Sequence, residues 1–174
     1  MIKGIIFVVV SGAFWLLSRE ALRDPKSHGY YRFFAFECIL LLLLLNYEHW
    51  FVNPFSSVQM LSWILMTLSV FLASYGFYLL RVIGKPMGSI EATTKLVVQG
   101  AYKYIRHPLY ASLILFGWGV FFKDVRLLGG LLAAVNTGFL YGAAQVEERG
   151  NVLKFGEEYH AYRTRTKMFV PFVF

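Results

Sequence analysis

Apolar residues in this chain come in long blocks separated by short polar stretches, without the alternation of a strand or the one-sided stripe of a half-exposed helix. Residues 2–17 are apolar except for Lys3, residues 33–52 contain the unbroken run Ile39 to Leu45, and residues 58–80 end in aromatic side chains before Arg81. After a more polar interval, residues 108–122 and 126–146 form two further blocks separated only by Lys123, Asp124 and Val125, a connection that fits an antiparallel helical hairpin. Trp50, Phe51 and Asn53-Pro54 close the second block, as expected where a helix meets the headgroups. The first block resembles a signal peptide in length, but Ser18-Arg19-Glu20 lacks a small-residue cleavage pattern, so it reads as a span.

Between residues 81 and 106, Gly84, Pro86, Gly88 and Gly100 act as breakers and Glu91, Lys95 and Lys103 supply charge, which predicts a structured interfacial loop. Residues 147–174 are charged and rich in tyrosine, which predicts a helix followed by an extended end at Pro171. Gly130, Ala134, Gly138 and Gly142 recur every four residues and predict a close helix-packing stripe on the fifth span.

Composition narrows this picture. With 57% hydrophobic and 16% charged residues among 174, the chain suits a single membrane domain over residues 1–174 and leaves too little polar surface for a soluble one. The expected fold is all-α, a polytopic membrane protein with five transmembrane helices and a cytoplasmic C-terminal helical tail. The net charge of +7 forms no stripe of its own, so nucleic acid is not expected as a partner, whereas membrane lipids are. Cys38 is the single cysteine, and the four histidines lack zinc spacing, so no metal is expected. The segment from Gly84 to Ser89 lacks phosphate-loop spacing.

Lysine and arginine are divided unevenly. Fourteen lie in the first polar connection, the 81–106 interval and the tail, and three (Lys3, Lys123, Arg126) lie on the opposite side. The positive-inside rule therefore places the loop and the C-terminus in the cytoplasm and the N-terminus outside. That arrangement brings residues 94–110 together with residues 147–165 at one membrane boundary.

Three clusters there carry candidate chemistry: Lys95 to Tyr102, Arg106-His107-Pro108-Leu109-Tyr110, and Glu147-Glu148 with Phe155-Gly156-Glu157-Glu158-Tyr159. Pro108 suits the first turn of a helix, which makes His107 its cap and leaves backbone donors that favour an anionic group. Glu147 and Glu148 either meet a cationic ligand group or pair with Arg106 and Arg149. Tyr102, Tyr104 and Tyr110 either line a pocket or anchor helix ends at the interface.

The order Leu-Val-x-x-Gly-x-Tyr, Arg-His-Pro-x-Tyr, Glu-Glu and Phe-Gly-x-x-Tyr-x-x-Tyr resembles the isoprenylcysteine carboxyl methyltransferase family and its phospholipid methyltransferase relatives over residues 84–171. The resemblance implies an S-adenosylmethionine-dependent methyltransferase acting on a lipophilic or small apolar acceptor. It implies cofactor contacts from Thr94, Lys95, Leu96, Val97, Tyr102, His107, Pro108, Leu109, Tyr110 and Glu147. In the same reading Arg106 or Arg165 orients a negative substrate group, Arg106 and Glu148 are the catalytic pair, and Glu148 accepts a proton where the nucleophile must lose one. Two positions depart from the family pattern. Ala143 and Ala144 stand where carboxyl methyltransferases place an arginine before the glutamate pair, and Thr94 stands where a histidine precedes Leu-Val. Membrane sterol reductases, which use a nicotinamide cofactor, share an Arg-His-x-x-Tyr pattern, and a non-catalytic scaffold is the third reading. Pro108 and the glutamate pair favour the methyltransferase.

Overall fold

The structure is a computed structural model that describes residues 2–87 and 93–173. Gly88, Ser89 and Glu91, which the sequence reading placed in the polar interval, lie outside the described residues.

The apolar blocks fold as helices α1 (Ile2–Ser18), α2 (His28–Asn46), α3 (Ser57–Leu79), α4 (Pro108–Phe121) and α5 (Leu127–Phe155), followed by the short polar α6 (Glu157–Arg165). Among the described residues there is no strand, and the chain is all-helical. Ser27 and Ser56 cap α2 and α3, their hydroxyls accepting from the N–H groups of Gly29 and Gln59. The segments containing α2, α3 and α5 are long and apolar enough to cross a bilayer, whereas α1 and α4 are shorter apolar helices. Three such helices are the mark of an integral membrane protein. At 1.5 Å per residue the 14 residues of α4 extend only about 21 Å, less than a hydrocarbon core.

The helix α4 sits at the centre, packed on α3, α5 and α2, while α2 also packs along α5. The last helix of the hairpin runs on past Glu147 and Glu148 to Phe155, so the glutamate pair lies inside a helix where the sequence pattern predicts its end. Its packed stripe is also offset from the expected one. Ala134 and Gly138 are exposed, and the buried residues are Gly129, Ala133, Asn136, Leu140, Ala143 and Ala144. Only Gly142 of the predicted set meets a tight neighbour, the Tyr31 ring. Close approach is also made by glycines of α4: a Cβ on Gly119 would lie 2.7 Å from Met66 and 3.3 Å from the Ser62 carbonyl of α3, and one on Gly117 2.6 Å from Asn136 of α5.

One end of the helix bundle is fastened by buried polar groups. Lys123 donates to Gln59 Oε1 at 3.1 Å and lies 3.4 Å from the Trp63 ring centroid, and Gln59 Nε2 donates to the Lys123 carbonyl. Burial pulls the Lys123 pKa below the ordinary lysine range. Asn46 donates to the Val120 carbonyl, and Lys3 pairs with Glu48. The opposite end holds a turn of π-helix at Leu80–Gly84, a 3-10 turn at Gly100–Lys103 and α6. There the tail is extended only briefly. Ile105 pairs in parallel with Lys167, and Pro171 lies in a turn, which replaces the extended end expected from the sequence.

Candidate functional site

At this second end a cavity opens between α2, α4, α5 and α6, with about 870 Å³ of free space between its walls, mouth included. Its roof comes from Leu96, Val97 and Tyr102, its α4 wall from His107, Leu109, Tyr110 and Leu113, and its α5 wall from Glu147, Asn151 and Phe155. Arg32 and Phe36 enter from α2, and Tyr159 and Tyr162 from α6.

Local structure accounts for this convergence. His107 is the N-terminal cap of α4 and Pro108 its first residue, so the ring-constrained proline begins the helix where no amide donor is lost. The first-turn amide of Leu109 has no intrahelical carbonyl to meet, and Leu109 and Tyr110 both line the cavity. Just before the helix, the backbone is strapped to the tail: Arg106 N–H donates to the Lys167 carbonyl at 2.8 Å and His107 N–H to the Met168 carbonyl at 3.2 Å. At the other side Gly156 takes φ +54° and ψ −130°, a backbone state that L side chains rarely adopt, and this bend turns the chain from α5 into α6.

The charged groups are ordered by one carboxylate. Glu148, 3% exposed, accepts from Arg106 Nε at 2.6 Å, lies 3.3 Å from His107 Nε2, and has Arg163 Nε 3.2 Å from its other oxygen. Arg106 also donates to the carbonyls of Thr166 and Arg163. Arg106 and Glu148 are thus spent on each other and on the strap, and Glu148 is not in the cavity wall. Its neighbour Glu147 is in the wall, accepting from the Tyr110 hydroxyl at 2.8 Å. Lys154 donates to the Thr93 carbonyl and closes the roof against α5.

Two tyrosines of α6 differ in their use. Tyr162 donates to the Tyr102 carbonyl at 2.7 Å, joining α6 to the roof. Tyr159 is 1% exposed, and its hydroxyl has no hydrogen-bond partner among the described residues; the Asn151 amide is near enough to affect its ionisation but outside bonding geometry. Burial pushes both phenols well above the ordinary tyrosine pKa, with Glu148 adding to the rise for Tyr159, so they are donors and never bases near neutrality.

Of the residues singled out from sequence, the structure gathers Leu96, Val97, Tyr102, Arg106, His107, Leu109, Tyr110 and Glu147 around the cavity. Thr94 and Lys95 are exposed and outside its wall, with the Thr94 hydroxyl bonded to the Gly84 and Lys85 carbonyls. Pro108 shapes the helix start without lining the cavity, and Arg165 lies exposed on α6 away from it. Arg32, Phe36 and Asn151 join the cavity without any sequence pattern that singles them out. Phe155, Tyr159 and Tyr162 are the fixed positions of the Phe-Gly-x-x-Tyr-x-x-Tyr motif, whose tyrosines stand three residues, one helical turn, apart.

Methanethiol S-methyltransferase of Crocosphaera subtropica is 32% identical over 121 residues, which is 68% of this chain and 47% of the relative. Methanethiol S-methyltransferase 1 of Bradyrhizobium diazoefficiens is 30% identical over 118 residues, 66% of this chain and 40% of the relative. Methanethiol S-methyltransferase 2 of the same organism is 39% identical over 74 residues, 42% of this chain and 27% of the relative. The matches thus cover less than half the length of these curated relatives. The profile of the phospholipid methyltransferase family matches residues 58–158, from the start of α3 into α6, and the chain therefore belongs to that family.

Proposed function

We propose that the chain is one transmembrane domain that moves a methyl group from S-adenosylmethionine to a small thiol, in the cavity beneath α6. The observation that carries the reading is the buried Tyr159 hydroxyl, a donor left without a partner in a wall that also contains Glu147 and Leu109 from the first turn of α4. A buried orphan hydroxyl costs about 1–3 kcal/mol, so a ligand that satisfies it recovers that amount. These groups fit an adenosyl amino acid: Glu147 for its ammonium, the Leu109 amide at the start of α4 for its carboxylate, and Tyr102, Tyr159 and Asn151 for its nucleoside. Thr94 and Lys95 are left out of this set, and His107 contributes by stacking on Tyr110 at 5.5 Å.

When bound, the cofactor supplies an electrophilic methyl on a sulfonium. The protein's part is alignment and exclusion of water. Phe36, Leu80, Leu109 and Leu113 give the cavity an apolar side, between α2 and α3 and over α4, which suits a neutral, apolar acceptor entering from the membrane. Glu148 is held by Arg106, Arg163 and the His107 ring, so in this reading it and Arg106 position the roof; the acceptor thiol gives its proton to water at the cavity mouth, and its sulfur takes the methyl as the methyl–sulfonium bond breaks. The thiol is taken from the relatives' activity, and Ala143 and Ala144, both fully buried, place no cation of their own at that turn of α5. The cavity end faces the cytoplasm, the C-terminus lies there, the N-terminus lies outside, and α1 to α5 all cross, α4 with help from its neighbours.

The test is turnover by purified protein with methyl-labelled cofactor and three acceptors: a short alkanethiol, a prenylcysteine and phosphatidylethanolamine. Label in the thioether supports the reading. Label in a carboxyl ester or a lipid amine, or none with any acceptor, contradicts it.

A further inference from the structure

A second recess lies on the outer side of the same α5 turn, between the connection from α1 to α2 and residues 146–154, with about 1320 Å³ of space between its walls, open solvent included. It shares Glu147 and Asn151 with the cavity but opens elsewhere. Its charged walls are Lys26, Arg149 and Lys154, with His28 beside them, against the single carboxylate of Glu147. That carboxylate is already bonded by the Tyr110 hydroxyl, and Asp24 on the approaching connection accepts from the Lys26 amide. The recess is therefore net positive, and an apolar floor comes from Tyr31 and Val146.

Its height in the bilayer follows from helix geometry. Counting from Leu127, about 20 residues at 1.5 Å cross a 30 Å hydrocarbon core and end at Val146. The walls from Glu147 to Lys154 then stand at headgroup level, where α2 also begins, at His28. A basic recess between helices at that level is complementary to a phosphate with a glycerol and acyl chains below it.

We infer that this recess is a binding site for the headgroup of an anionic phospholipid, separate from the methyl-transfer cavity and braced against it through Glu147 and Asn151. Lys26 and Arg149 meet the phosphate from the two sides, and Tyr31 and Val146 face the glycerol region. The lipid is a resident and not a methyl acceptor, because Glu147 and the Lys154 contact to Thr93 stand between the recess and the cavity. The inference does not depend on turnover, so its failure and the failure of the methyl-transfer reading are read separately.

The experiment places the full chain in phosphatidylcholine nanodiscs containing spin-labelled phosphatidylglycerol, phosphatidylcholine or phosphatidylethanolamine and measures the motionally restricted fraction. The wild type restricts phosphatidylglycerol preferentially, and K26A/R149A lowers that preference by roughly thirtyfold, as loss of two interfacial charges implies. K103A, an exposed cation outside the recess, leaves it unchanged. K26Q/R149Q gives the same answer if the alanine pair folds poorly. No preference in the wild type, an equal preference in both double variants, or stronger restriction of phosphatidylethanolamine overturns the site. Displacement of the labelled lipid by millimolar inorganic phosphate overturns it as a lipid site, since the recess then reads phosphate alone.

Discussion

Glu148 and Tyr159 are both buried and both polar, but their partners give them opposite roles. Glu148 holds Arg106, His107 and Arg163 together, and replacing it with glutamine leaves the 11% exposed Arg106 guanidinium without its counter-charge. The expected outcome for Glu148→Gln is a loss of about 3 kcal/mol in unfolding in detergent. The shape of its pH–rate profile stays that of the wild type, because the carboxylate takes no proton in turnover. Tyr159→Phe removes a hydroxyl that has no partner in the protein, so stability holds or rises slightly, while calorimetry should show S-adenosylmethionine affinity falling by about tenfold. The same phenols set an alkaline limit. Their folded pKa values lie above the ordinary value of about 10, so the stability they contribute is complete below that pH. Above it the unfolded state gives up its protons first, and the contribution is lost as pH rises through the folded values. Melting temperature should therefore fall above about pH 10 in the wild type, and less steeply in Tyr162→Phe relative to its own neutral-pH value.

Hydropathy located the helices because apolarity is a property of side chains summed over a block, which is what the pattern of α1 to α5 records. It misplaced the end of α5 because helix continuation is a property of the backbone. Glu147, Glu148 and Arg149 look like an exit, yet no strong breaker intervenes before Gly156, so the helix continues and carries the pair into the site. The offset packing stripe has a similar cause: small residues permit contact on several faces, and α2 and α4 choose the face of Ala133, Leu140 and Ala143. Motif residues near Arg106 and Glu147 were legible as a boundary cluster, whereas Arg32 and Phe36 depend on where α2 packs, which no local pattern encodes. Gly156→Ala should cost about 1–3 kcal/mol through its φ of +54°, although a Cβ there meets no neighbour. At the other end Gln59→Leu leaves Lys123 without its hydrogen-bond acceptor and should lower detergent-unfolding stability by about 1–3 kcal/mol, with cofactor affinity unchanged.

For the molecule as a whole, the two ends of the helix bundle do different work. One is closed by Lys123, Gln59 and Asn46, and the other encloses a cavity whose roof is strapped down by the tail. The fourteen-to-three division of basic residues, which supports a cytoplasmic cavity, should appear as protease access to a C-terminal tag only from the cytoplasmic side. The central claim is that this cavity is the cofactor site, and ultraviolet cross-linking of radiolabelled S-adenosylmethionine to the purified chain, followed by peptide mapping, tests it most directly. The account predicts label on peptides from residues 96–110 and 147–162, displaced by S-adenosylhomocysteine. Label confined to other segments, or none that the competitor displaces, would contradict it.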